Sequence, residues 1–76
     1  MVNVVKKQVW WSGNLGPKDD FGDLYKGIMI DGRTHNGQWA NMTEKSWRLH
    51  GVGKFGTGYG QKYQKQADGR WLKIEG

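Results

Sequence analysis

The segment 51-GVGKFGTGYGQKYQKQADGRWLKI-74 is a glycine-rich run that passes directly into alternating polar and aromatic residues, and the fold follows from how it is understood. Gly51, Gly53, Gly56, Gly58 and Gly60 fall within ten positions, which forfeits side-chain packing and raises the entropic cost of ordering. A segment of this kind needs either positive φ angles or the close approach of something to its backbone: a ligand, a nucleic acid, or the chain's own tryptophans. Downstream, 61–66 and 70–74 flank Ala67-Asp68-Gly69, and Asp-Gly between strand-like segments signals a β-hairpin. Tyr63, Trp71 and Tyr59 are the candidates for its apolar side.

Upstream of the run, Thr43 is placed to cap a helix of about two turns. Glu44 then lies in the first turn, Arg48 and His50 in the last, and Gly51 suits a left-handed C-terminal position. Trp47 points toward the sheet, with Lys45 and Arg48 toward solvent. Further upstream, 24–30 has the apolar density of a strand closed by an Asp31-Gly32 turn. Residues 38–42 form a short strand opposite 28–30, joined to it by the loop 32–37. Val2, Val4 and Val9-Trp10-Trp11 read as a first strand ended by 12-SGNLGP-17. The fold expected is one small, mostly β domain (α+β) over residues 1–76, with four to five short antiparallel strands, one short helix and a barrel-like closure as an option.

Seventy-six residues bury a thin core, about 60% of the surface an unfolded chain of this size exposes. The chain has no cysteine, and two histidines with scattered carboxylates suggest no zinc site, so the five tryptophans take over the role of the missing staples. No cofactor is expected. The chain carries 12 Lys and Arg against 7 Asp and Glu. The excess lies in residues 44–76, with seven basic and three acidic side chains, and a pI near 9.7 brings nucleic acid into consideration. No stretch approaches the ~18 apolar residues of a membrane span, and the charges at the start follow rather than precede the short apolar run, so a cytoplasmic location is expected.

Gly51-x-Gly53-x-x-Gly56 matches the dinucleotide fingerprint in letters only. The fingerprint needs a strand before it and a helix after it, and here a helix precedes it. Amides freed by glycine near Lys54 and Lys62 still permit an anion-binding nest. Asp19, Asp20 and Asp23 lack calcium-loop spacing, His35 and His50 lack nucleophilic partners, and no carboxylate pair or triad stands out, so no enzyme is expected. Basic residues interleaved with rings are what single-strand binding requires. The nucleic-acid candidates are therefore Lys54, Phe55, Tyr59, Lys62, Tyr63, Lys65, Arg70 and Lys73. The alternative is a protein-interaction module using Trp11 and Arg48 as anchors, because alternation sends one ring of the Trp10-Trp11 pair outward. A virion assembly component is a third option.

Residues 28–76 resemble small bacteriophage proteins. The likeness rests on 37-GQWANM-42, His50-Gly51-Val52-Gly53, Gly56-Thr57-Gly58-x-Gly60-Gln61-x-Tyr63 and 68-DGRWLKIEG-76. It implies a phage accessory protein and supplies no activity; for the interaction-module alternative the expected partner is a host protein that the module inhibits or modifies. Such relatives often carry a Cys-x-x-Cys knuckle with a zinc-ribbon-like look. Thr43 and Ser46 stand at the corresponding positions here, so the zinc role does not carry over.

Overall fold

A computed structural model describes residues 7–76. Four strands form one antiparallel sheet: β1 (Ile28–Arg33), β2 (Trp39–Met42), β3 (Gly60–Lys65) and β4 (Trp71–Glu75), in the spatial order β2-β1-β3-β4. The helix α1 (Glu44–His50) follows β2 directly. The sheet is open and does not close into a barrel. No helix among the described residues is long and apolar enough to cross a membrane.

The hairpin around Asp68-Gly69 forms as expected, with Lys65 opposite Trp71 and a slip in register between Lys62 and Tyr63. Asp31-Gly32 does not form a turn. Both residues lie inside β1, where Gly32 pairs with Ala40 on one side and Gly60 on the other. The strand expected over 24–30 therefore runs over 28–33, and β2 pairs with residues 30–33. The reversal falls instead at Thr34 to Gly37, where the Thr34 amide donates to the Gln38 carbonyl at 2.8 Å and Gly37 takes a φ of +90°.

Of the first strand, residues 2–6 lie outside the described part. The remainder is an edge cover on β4, with Trp10 bridging Leu72, the Trp11 amide donating to the Trp71 carbonyl, and the Lys73 amide donating to the Val9 carbonyl.

Trp47 explains two of the five glycines in the run, Gly51 and Gly60. Its ring packs with Ile30 and Met42, and Phe55 stacks on it with centroids 5.3 Å apart. A Cβ at Gly51 would overlap three Trp47 ring carbons, one at Gly32 would overlap the same ring, and one at Gly60 would sit 3.1 Å from Cη2. Three glycines thus form a floor for one indole. Gly51 is extended (φ −79°, ψ 161°), not left-handed as the helix-capping pattern predicts, so close approach and not backbone conformation requires glycine there. Gly53, Gly56 and Gly58 take positive φ and carry the chain through the turn into β3.

The loop between Pro17 and Tyr25 is latched to the start of α1 by Asp19, which is buried. Its Oδ1 accepts from the amides of Phe21 and Asp23, each at 2.9 Å, and its Oδ2 accepts from the Thr43 amide and hydroxyl at 2.8 and 2.9 Å. The Thr43 hydroxyl in turn caps the helix by accepting from the Ser46 amide, while the Ser46 hydroxyl donates to Asp23. Burial pushes the Asp19 carboxyl upward, but the nearby Ser46 hydroxyl and the hydrogen bonds from the Thr43 and Asp23 amides and the Thr43 hydroxyl outweigh it and hold the pKa at about 2.

Candidate nucleic-acid interface

Strand alternation divides the candidate residues between two faces. Lys62 pairs with Ile30 and shares the helix face, where its ammonium lies 3.9 Å from Glu44. Tyr63 pairs with Met29 and occupies the second face, together with Lys65, Trp71 and Lys73. Tyr63 is buried, with Trp11 packed edge-on against it at 5.7 Å, and burial followed by the charge of Asp31 pushes its phenol upward. Phe55 is committed to Trp47. Tyr63 is thus closed to a base, and Phe55 is half-buried with one face covered by the Trp47 ring.

The glycine loop supplies less than its sequence promises. The amides of Gly56, Tyr59 and Gly60 are taken up within its own turn, with Gly56 and Gly60 exchanging bonds of 2.8 and 3.1 Å. These three amides are therefore closed to an anion. Tyr59 is exposed and Lys54 lies 4.7 Å from its ring centre, but both sit at the opposite end of β3 from Lys65.

At that other end, the tip of the β3–β4 hairpin gathers the rest. The Lys65 ammonium lies 6.0 Å from the centre of the half-buried Trp71 ring, which meets Tyr25 edge-on at 5.8 Å. The Arg70 guanidinium lies 4.0 Å over the Trp10 ring, and its Nε is 2.8 Å from Asp68. Lys73 follows Trp71 two residues along the same strand face. The Lys65 amide donates to the Gly27 carbonyl, which brings the chain at Lys26 to the same end. Asp68 is the one carboxylate of the tip itself, held below its usual range by the Arg70 amide and side chain.

Sequence reasoning misses Trp10, Tyr25 and Trp71 as members of this cluster. It places Trp71 in the core and takes Trp11 as the outward ring of the adjacent pair. The structure turns Trp11 inward: its ring packs on Tyr63 and under Gly13, and its Nε1 is buried without a hydrogen-bond partner among the described residues. The pairing of Trp10 with Leu72 is the missing signal, since it fixes which of the two rings faces Arg70. Arg48 is exposed on α1, on the other side of the sheet from Trp11, so the two expected anchors do not form one surface.

The chain matches no protein-family model, no curated protein and no solved structure.

Proposed function

We propose that this protein is a non-enzymatic binder of single-stranded nucleic acid whose interface is the tip of the β3–β4 hairpin. The observation that carries the reading is the pairing of each half-buried ring there with a cation: Lys65 with Trp71 and Arg70 with Trp10. A base stacks on a ring irrespective of its identity, while the neighbouring ammonium or guanidinium turns to the phosphate, so such pairs favour a strand without selecting its sequence. Lys73 and Lys26 extend the positive surface beyond the two rings. On the resemblance of residues 28–76 to bacteriophage proteins, the setting is the cytoplasm of an infected host.

A polarisation titration with a labelled oligothymidine at two salt concentrations tests the proposal. Affinity is expected to fall steeply with salt, because phosphate contacts release counterions. Lys65→Ala is expected to reduce the slope of log K against log salt by about 0.7, the value for one phosphate contact to a single strand. An unchanged slope, or no binding at low salt, would count against the tip as the interface.

A further inference from the structure

The sheet face turned away from α1 carries a second group of side chains that the hairpin tip does not use. A Cβ at Gly32 or at Gly60 would meet the Trp47 ring on the helix side. Alternation therefore sends their neighbours Arg33 and Tyr59 to the opposite face. Trp39 pairs with Arg33 and shares that face, and the Arg33 amide donates to the Tyr59 carbonyl at 2.8 Å. One row across the sheet thus reads Trp39, Arg33, Tyr59. The row beside it reads Asn41, Asp31, Gln61 by the same register.

Both rings of the first row are open, with Trp39 47% and Tyr59 38% exposed, and Arg33 between them is exposed as well. Adjacent strands lie about 4.8 Å apart, so the two rings spring from backbones about 10 Å apart. The polar row is half-buried. Gln61 donates its Nε2 to the Gly56 carbonyl at 3.1 Å, but its Oε1, the Asp31 carboxylate and the Asn41 carboxamide have no hydrogen-bond partner among the described residues. Neither Asp31 nor Arg33 forms an ion pair there.

These rows disfavour most classes of ligand. An anion meets Asp31 and the neighbouring Asp20, whose Oδ2 accepts from the Asn41 amide at 2.7 Å. A cation meets Arg33 between the rings and Lys54, whose ammonium lies 4.7 Å from the Tyr59 ring centre. A wholly apolar surface would bury Asp31 and Arg33 unpaired. A neutral ligand with many hydroxyls and a flat apolar side satisfies every group. Its hydroxyls donate to Asp31 and Gln61 and accept from Asn41 and Arg33, while its C–H side lies on the rings. Sugars are built in this way.

We infer that this open sheet face is a binding surface for a neutral oligosaccharide, with Trp39 and Tyr59 as stacking platforms and Asp31, Asn41 and Arg33 as hydroxyl partners. A short chain of sugars reaches both platforms, and a single sugar reaches one. The surface is separate from the hairpin tip and stands or falls independently of nucleic-acid binding. Amide and indole NMR spectra recorded during titration with cellotetraose and with maltotetraose test it, with glucose and tetragalacturonate as parallel arms. The expected result is a saturable shift of the Trp39 indole and of the amides of residues 31, 33, 41, 59 and 61 with a neutral tetrasaccharide. The stronger of the two assigns the ligand to an extended or a coiled chain. Binding of glucose should be about tenfold weaker or more, since it loses one stacking ring. Trp39→Ala removes only an exposed ring, and Asp31→Asn keeps the shape of a half-buried side chain without its charge, so both stay folded. Trp39→Ala should weaken tetrasaccharide binding about tenfold, with Trp39→Tyr restoring most of it. Asp31→Asn should weaken it about fivefold. No shift with either neutral tetrasaccharide, an equal response to tetragalacturonate, or saturation unchanged by Trp39→Ala would overturn the assignment.

Discussion

Gly51→Ala is expected to unfold most of the population at room temperature, although alanine is at ease in the extended conformation that Gly51 adopts. The effect is steric. The new methyl would enter the Trp47 ring, and that ring has nowhere to go, with Phe55 stacked on it and Gly32 and Gly60 beneath. Overpacking of this kind costs about 3 kcal/mol or more where neighbours cannot yield. A single core in a domain of this size rarely supplies more than about 3–5 kcal/mol in total, so the loss consumes most of the stability. Trp47→Ala should cost a comparable amount, about 3–5 kcal/mol, by leaving a cavity. Urea denaturation followed by far-UV circular dichroism reads both. Gly16→Ala is the control, because the space its new methyl would occupy has no atom within 4 Å, and it should stay within about 0.5 kcal/mol of the parent. The double variant Gly51→Ala/Trp47→Leu should recover part of the loss, which would show that the two sites share one contact.

Acid should release the Asp19 latch. The folded pKa is lowered from 3.8 to about 2, so the folded state binds this proton less readily than the unfolded chain does. Its contribution is therefore complete above the ordinary carboxylate range and is lost as pH falls through about 2. The shift corresponds to about 2 kcal/mol. Asp31 works in the opposite direction, since burial and then the charge of Asp20 raise its pKa, and its ionisation destabilises the fold as pH rises. In an Asp31→Asn background the acid limb of the stability profile should thus steepen and belong chiefly to Asp19. Asp19→Asn should flatten that limb and lower stability at neutral pH by about 2 kcal/mol, because its carboxamide nitrogen would face amide donors in place of an acceptor oxygen. Chemical denaturation at a series of pH values reads the sign and the size together.

The elements that rest on local chemistry were legible in the sequence. The Thr43 cap, the short helix and the Asp68-Gly69 hairpin depend on residues within a few positions of one another, and each forms where its pattern places it. Asp31-Gly32 shows where such reading stops. The pair has turn chemistry, but the Trp47 ring requires a residue without a side chain at position 32, and that contact spans fifteen residues. The same long-range contact accounts for Gly51 and Gly60, whose role was open between a ligand and the chain's own tryptophans. The candidate interface was legible as an alternation of rings and bases, but its geometry was not. Phe55 and Tyr63 carry the same sequence signal as Trp71, and only pairing and packing separate the rings that face inward from those beside exposed cations.

The glycine run thus serves the fold, with Gly51 and Gly60 making room for Trp47 and Gly53, Gly56 and Gly58 turning the chain, and the hairpin tip is where nucleic acid would be held. Residue-resolved NMR of the protein titrated with a short oligothymidine separates the two regions. Shifts are expected at the amides of residues 65–73 and at the indoles of Trp10 and Trp71, with residues 51–60 unmoved. Shifts concentrated at Lys54, Tyr59 and the glycine amides, with the tip unmoved, would contradict this division of roles.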